Sequence, residues 1–326
     1  MTLDRRRFLV AGASGVLASG ATAHAEARGP AAVQAAVSRF AKIPGTTSCL
    51  VAAEHPTAPW QVAHDPKARL FVGSAVKTFI LAQVLREVEA GRLSESEQVA
   101  IDDKVRSLSS PVFLNLSGMT TRRSVLEAMI AHSDNTATDV AIGSVGPASV
   151  RDLVKQAGMT TTQIPESTRR LFSYIAGAPD GTDLGWAGVQ QAIAGKPPGK
   201  PRPPLNDRET MASSADDLVR WYQQALRGTF FKQPETLREF KRISAMADAL
   251  SLIVPANIAA YGKGGSIDWA DFHCLSVAGQ MVVGAVPVTF CFNLNWSGPD
   301  DGVPAVMKSF GPILADVLKQ AADAVR

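Results

Sequence analysis

Ser74 and Lys77 lie in the apolar stretch FVGSAVKTFILAQVLREVEAGRL and are the first residues of this chain whose types and spacing suit chemistry. Three positions apart on a helix, their side chains share a face. A serine hydroxyl is a weak nucleophile until a neighbour takes its proton. An amine can take it where burial and the positive end of the helix dipole lower its pKa. The position that disfavours an ordinary lysine therefore suits a catalytic one. Ser74 at the helix start also places backbone N–H groups where an oxyanion would form. Taken alone, the pair is a weak signal, better accounted for by an ordinary helix with a surface lysine.

A second group of polar residues, Ser133, Asp134 and Asn135 in AHSDNTATD, interrupts two apolar helical segments. Ser133 suits proton relay to a leaving group, and the Asn135 amide suits binding a substrate amide. The plainer use of Ser133 or Asp134 is to cap the helix that follows. A third group is YGKGGSIDW, with Lys263, Gly264, Gly265 and Ser266. Two glycines after a lysine let a strand edge approach a ligand closely. The ammonium there would hold a carboxylate, and the Ser266 N–H would pair with that of Ser74 as an oxyanion hole. The plainer alternative is a Gly-rich turn opening a hairpin.

The elements needed to position these residues can be read from the pattern. Pro30–Ala41 is expected to be helical, and TTSCLVAAE and WQVAHD to be short strands. A helix through Ser74 and Lys77 ends at Gly91, and helical pieces follow from about Ser96 to Gly158. From Met159 to about Asn206 the regular pattern fades into a Pro-rich loop. Ser214 and Asp217 fit a capping box for SSADDLVRWYQQALRG. DFHCLSVAGQM and PVTFCFNLNW alternate as paired strands, and a long amphipathic helix closes the chain. Early and late strands imply one sheet assembled from both chain ends. The expected organisation is an α/β lobe from residues 26–69 and 207–326, with 70–206 as an inserted helical lobe that includes the irregular loop at about 159–206.

Residues 1–25 have a basic start, an apolar middle and small residues at Ala23 and Ala25. This predicts an export signal cleaved near Ala25, and Arg5-Arg6 resembles a twin-arginine address, pointing to the periplasm. No cysteine follows closely, which argues against a lipoprotein, and no stable membrane anchor is expected. Losing that segment removes three Arg and one Asp and lowers the formal charge from +3 to +1. So neutral a balance gives no argument for nucleic acid or membrane partners. The five histidines are scattered, with no C-x-x-C and no H-E-x-x-H, so no metal or cofactor is expected. Cys49, Cys274 and Cys291 read as buried small hydrophobes, with a Cys274–Cys291 bridge as the alternative.

In this order, S-x-x-K, S-D-N and K-x-G resemble the motif set of class A β-lactamases and penicillin-binding proteins. The resemblance extends over nearly the whole chain after the signal. It implies the β-lactamase/transpeptidase-like fold: α/β plus all-α, an antiparallel sheet flanked by helices with an inserted helical lobe. It implies Ser74 as nucleophile, Lys77 as proton acceptor, Ser133 as proton relay and Asn135 as substrate contact. Lys263 becomes a carboxylate or proton-network partner, with Gly265 and Ser266 beside it on the substrate-binding wall. The sequence departs from the family in two places. Gly264 stands where the family has a Thr or Ser hydroxyl that helps bind a carboxylate, and Ser266 is the nearest replacement. The deacylating glutamate normally lies in E-x-x-L-N; here Glu166 is the single glutamate between Ser133 and Glu209, without that motif. Glu166 is thus either the water-activating base or a surface carboxylate paired with Arg169 or Arg170.

The expected activity is hydrolysis of a β-lactam or amide carbonyl through a Ser74 acyl-enzyme, acting on a small-molecule substrate as a monomer. The alternatives are a D,D-peptidase, an esterase, or a sensor that acylates once without turnover. A Ser-His-Asp hydrolase using His132 or His273 is a more distant alternative, because no G-x-S-x-G surrounds Ser74.

Overall fold

The structure is a computed structural model and describes residues 29–326. The expected export signal lies outside the described residues. In chain order the elements are α1 (Pro30–Phe40), β1 (Thr46–Ala53), β2 (Trp60–His64), β3 (Leu70–Phe71), α2 (Lys77–Glu89), β4 (Gln98–Ile101), β5 (Gly118–Thr121), α3 (Arg122–Ala131), α4 (Asn135–Val145) and α5 (Pro147–Gln156). They continue as α6 (Thr168–Ile175), α7 (Gly185–Ile193), β6 (Ala212–Ser213), α8 (Ala215–Leu226), α9 (Pro234–Ser244), β7 (Ala259–Trp269), β8 (Phe272–Val283), β9 (Val286–Ser297) and α10 (Val303–Ala324).

Among the described residues the main sheet has five strands in the order β2-β1-β9-β8-β7, every pair antiparallel. Its central strand, β9, comes from the end of the chain and pairs with β1 from the beginning, with Cys49 opposite Phe292 and Leu50 opposite Cys291. Successive strand residues face opposite sides, so each side receives its own cover. Phe292 meets Phe40 of α1 at 5.4 Å between ring centroids, and Phe40 meets Phe310 of α10. On the other side α8 packs on β1, β8 and β9. From α8, Trp221 stacks on Phe79 of α2 at 4.1 Å, and its indole N–H donates to Thr78 Oγ1 at 3.0 Å. The helix that begins at Lys77 is thereby fixed to the helix that lines the sheet. α2 also packs against α4, α5 and α9.

α8 starts as its sequence predicts: Ser214 Oγ accepts the Asp217 N–H, and Gly228 follows the helix with a positive φ of 87°. One expectation is corrected, and one alternative is excluded. The segment from Met159 to Asn206 is not without regular structure, because it contains α6 and α7. α6 has a polar N-cap, Ser167, whose Oγ accepts the Arg170 N–H at 3.0 Å. The Cys274–Cys291 bridge is also excluded. Cys274 lies opposite Asn295 and Cys291 opposite Ala278, four residues apart along the ladder. At about 3.3 Å per residue that is some 13 Å, about twice the reach of a disulfide. All three cysteines are free and buried, and burial pushes the Cys49 thiol up to about 12 and those of Cys274 and Cys291 well up.

Candidate active site

β3 leads directly into the nucleophile segment. Both ends of the Asn295 amide, on β9, hold this approach: Oδ1 accepts the Phe71 N–H at 2.9 Å and Nδ2 donates to Phe71 O at 2.8 Å. The Val72 N–H then donates to Met211 O at 2.8 Å. Gly73–Val76 forms a 3₁₀ turn, and Lys77 is the first residue of α2. Ser74 therefore sits in the turn before the helix, with 9% of its surface exposed, while Lys77 has none.

A buried cationic side chain requires acceptors around it. Lys77 Nζ donates to Ser133 O at 2.7 Å and to Asn135 Oδ1 at 2.7 Å, and it lies 3.4 Å from Ser133 Oγ. This geometry joins the first two sequence groups into one cluster. Ser133 adopts a left-handed φ of 58°, a conformation a non-glycine residue adopts at a cost of about 1–3 kcal/mol unless its surroundings hold it. The conformation ends α3 and turns the Ser133 carbonyl to Lys77.

The capping role falls to Asp134. Its Oδ1 accepts the Ala137 N–H at 2.8 Å, and its Oδ2 accepts the Val112 and Phe113 N–H groups, each at 2.9 Å. Ser133 is left available for proton transfer. Asn135 Nδ2 donates to Leu108 O at 2.8 Å, which fixes the direction of its amide.

The third group lies on β7, which is an edge strand rather than a simple turn. Its backbone meets the nucleophile turn at glycine distance. A Cβ on Gly265 would lie 2.1 Å from Val72 O and 2.8 Å from both Ser74 N and Ala75 N. A Cβ on Gly73 would lie 3.1 Å from Ser266 N. Gly265 thus permits a close approach of strand and turn that sets the Ser266 backbone beside the turn carrying Ser74. Lys263 lies on the same face of β7, two residues before Gly265, and is 1% exposed; its Nζ donates to Gly264 O at 2.8 Å. Ser266 is exposed.

Glu166 occupies a different setting. Its carboxylate pairs with Arg151 at 2.6 Å and is 40% exposed, while its backbone N–H donates to Glu209 Oε2 at 2.9 Å. The arginine partner is Arg151, not Arg169 or Arg170. Arg169 pairs with Asp183 and Arg170 with Glu209. The residue of this segment that sits against the start of α4 is Thr168, the first of α6. Its Oγ1 contacts Ser107 Oγ at 2.7 Å and donates to Asn135 O at 3.3 Å.

Sequence reasoning missed the residues that hold this loop. Asp139 lies one helical turn after Asn135, and its two oxygens accept the Thr168 N–H at 2.6 Å and the Arg169 N–H at 3.0 Å. Burial pushes its carboxyl up to about 6, although those bonds oppose the shift. The i, i+4 spacing from Asn135 was the available signal. Asn295 had no such signal, since its partner lies 224 residues away in sequence.

The two histidines do not serve Ser74. His132 is exposed, and His273 is buried with Nδ1 2.8 Å from Asp268 Oδ1 and Nε2 2.8 Å from Gly298 O. Among the described residues no group of three or more His, Cys, Asp or Glu is placed to hold a metal ion. Nor is any helix among them long and apolar enough to cross a membrane.

An antiparallel sheet flanked by helices, with a serine turn and a buried lysine at its edge strand, is the architecture of the β-lactamase/transpeptidase-like fold. The family description "Beta-lactamase enzyme family" matches residues 31–279, and the chain belongs to that family. Similar solved structures include a β-lactamase from Sphaerobacter thermophilus, 19% identical with a TM-score of 0.69 over 90% of this chain and 97% of that one. The chromosome-encoded β-lactamase of Vibrio parahaemolyticus is 15% identical, with a TM-score of 0.67 over 89% of this chain and 98% of that one. PBP-A is 14% identical, with a TM-score of 0.65 over 90% of this chain and 97% of that one. No curated protein sequence matches the chain.

Proposed function

We propose that this chain is a serine hydrolase that opens an amide or β-lactam carbonyl through an acyl-enzyme on Ser74. The observation that carries the reading is the Lys77 side chain, fully buried and held between Ser133 and Asn135 one residue after the serine turn. In its amine form Lys77 takes the Ser74 hydroxyl proton as Oγ attacks the carbonyl carbon. The oxyanion lies against the Ser74 and Ser266 N–H groups. Ser133 Oγ, 3.4 Å from Lys77 Nζ, passes the proton to the departing nitrogen. Asn135 has a second amide N–H, beyond the one given to Leu108 O, for a substrate carbonyl. Water then attacks the acyl carbon and releases the product acid and the Ser74 hydroxyl.

A second reading is favoured by one observation: Glu166 is engaged with Arg151, and Thr168 holds the place beside Asn135. With no glutamate activating the water, release is slow, and the enzyme behaves as a D,D-peptidase, an esterase or a sensor that stays acylated. Mixing with a chromogenic cephalosporin separates the two. Steady turnover that falls about 10²–10⁴-fold in Glu166→Ala supports a β-lactamase using that base. A burst of one equivalent followed by slow release, unaltered in Glu166→Ala, supports the second reading. The basic and apolar character of residues 1–25 supports export to the periplasm as part of the same proposal.

A further inference from the structure

Directly opposite residues of paired strands share a face, so Gly265 of β7, Ser276 of β8, Asn293 of β9 and Ser48 of β1 form one row across the main sheet. A Cβ on Gly265 would point at Val72 O and Ser74 N, which places this row on the face beneath the nucleophile turn, the face that α8 covers. Ser276, Asn293 and Ser48 are all buried, the last two completely. Asn293 Oδ1 accepts the Ser276 Oγ–H at 2.7 Å and the Cys291 Sγ–H at 3.4 Å, which turns Nδ2 away from β8. Among the described residues, nothing bonds that Nδ2 or Ser48 Oγ. A third such atom, Tyr222 Oη, comes from the fully buried side chain on α8; it faces Thr78 and Cys291 without a hydrogen bond to either. Cys291 lies two residues from Asn293 on the same face of β9, so the three atoms collect in one place between sheet and helix. A buried polar group left unmet is costly, and native interiors meet such groups with protein or with ordered water.

We propose that Ser48, Asn293 and Tyr222 bind an internal water between the main sheet and α8. Its oxygen accepts an Asn293 N–H and the Tyr222 O–H, and one of its own protons goes to Ser48 Oγ. Three partners is the usual number for a buried water. The chemistry selects water over an ion. None of the three groups is charged, and burial holds the neighbouring Cys291 thiol in its neutral form, so an ion would find no counter-charge there. Through Asn293 the water connects to Ser276, and Ser276 stands opposite Gly265. The hydration site thus supports the row of the sheet that ends against the Ser74 turn. It is independent of the acyl-enzyme reading.

A crystal structure of the parent protein, at a resolution that shows ordered water, is the direct test. The expected result is one water peak about 3 Å from Asn293 Nδ2, Ser48 Oγ and Tyr222 Oη. No peak there, or a direct bond between the Ser48 and Asn293 side chains, overturns the proposal. A second test works in solution. Ser48→Ala and Tyr222→Phe each delete one hydroxyl and little else, one from the sheet and one from the helix. Sharing a water couples them, so the unfolding constant of the double variant is expected to differ by about threefold or more from the product of the two single effects. Effects that simply multiply overturn the shared site.

Discussion

Lys77 and Ser133 carry the proton traffic in this account, and their geometry sets distinct expectations for substitution. Lys77→Met keeps the volume and removes the amine. Acylation should fall by about 10²–10⁴-fold, the usual worth of a positioned base. Stability should fall by about 1–3 kcal/mol, because Ser133 O and Asn135 Oδ1 stay in place and lose the donor they share. Acylation kinetics and thermal unfolding on the same sample check both halves; an active Lys77→Met variant refutes the assigned role. The sequence made Ser74, Lys77, Ser133 and Asn135 legible because each pair is local, within one turn of helix or one tripeptide. Geometry then supplied what spacing could not: the Lys77 side chain bridges to Asn135 Oδ1 across 58 residues. Glu166 was selected for its chemistry and its place in the chain, and neither reports where a side chain points.

The elements around the site act by contact. β7 and the Ser74 turn approach so closely that Gly265→Ala would place a methyl 2.1 Å from Val72 O. Because the obstacle is backbone, the turn must move, with an expected loss of about 1–3 kcal/mol or more and a larger loss of acylation. Asn295→Ala takes from the Phe71 N–H its buried side-chain acceptor and from the Phe71 carbonyl one of two side-chain donors, leaving the Cys274 thiol, and should cost about 1–3 kcal/mol, read by chemical denaturation. The loop before α6 gives a pH test. Asp139 has its folded-state pKa raised, so the native state holds its proton more tightly than the unfolded chain. Stability from this group is greatest below pH 4 and is lost as pH rises through about 6. A shift of about two units corresponds to about 3 kcal/mol. Going from pH 4 to pH 7, Asp139→Asn should therefore gain up to about that amount relative to the parent protein; a constant difference would contradict this. α6 and α7 escaped the sequence reading because proline and glycine crowd that region and obscure the local cap at Ser167, while the Asp139 bonds that order the loop come from 29 and 30 residues away.

Across the whole molecule, the chain's two ends build one sheet, and the site forms where its edge strand meets the turn before α2. The strand alternation in β8 and β9 made this closure readable, and their register decided the cysteines. With all three thiols buried and their pKa values raised, the folded protein should be inert to a thiol reagent at pH 8 and should release three equivalents on unfolding. Two equivalents fewer would mean a disulfide that this register forbids. Membership of the β-lactamase family and a shared fold at 13–19% identity define the scaffold, while the chemistry rests on the residues at the cleft.

The most direct test of that chemistry is peptide-mapped mass spectrometry of the protein mixed with an excess of a β-lactam, in parent and Ser74→Ala forms. The account predicts an adduct of one ligand mass, confined to the peptide that contains Ser74 and absent from the variant. An adduct on any other residue, or activity that survives in Ser74→Ala, would contradict it.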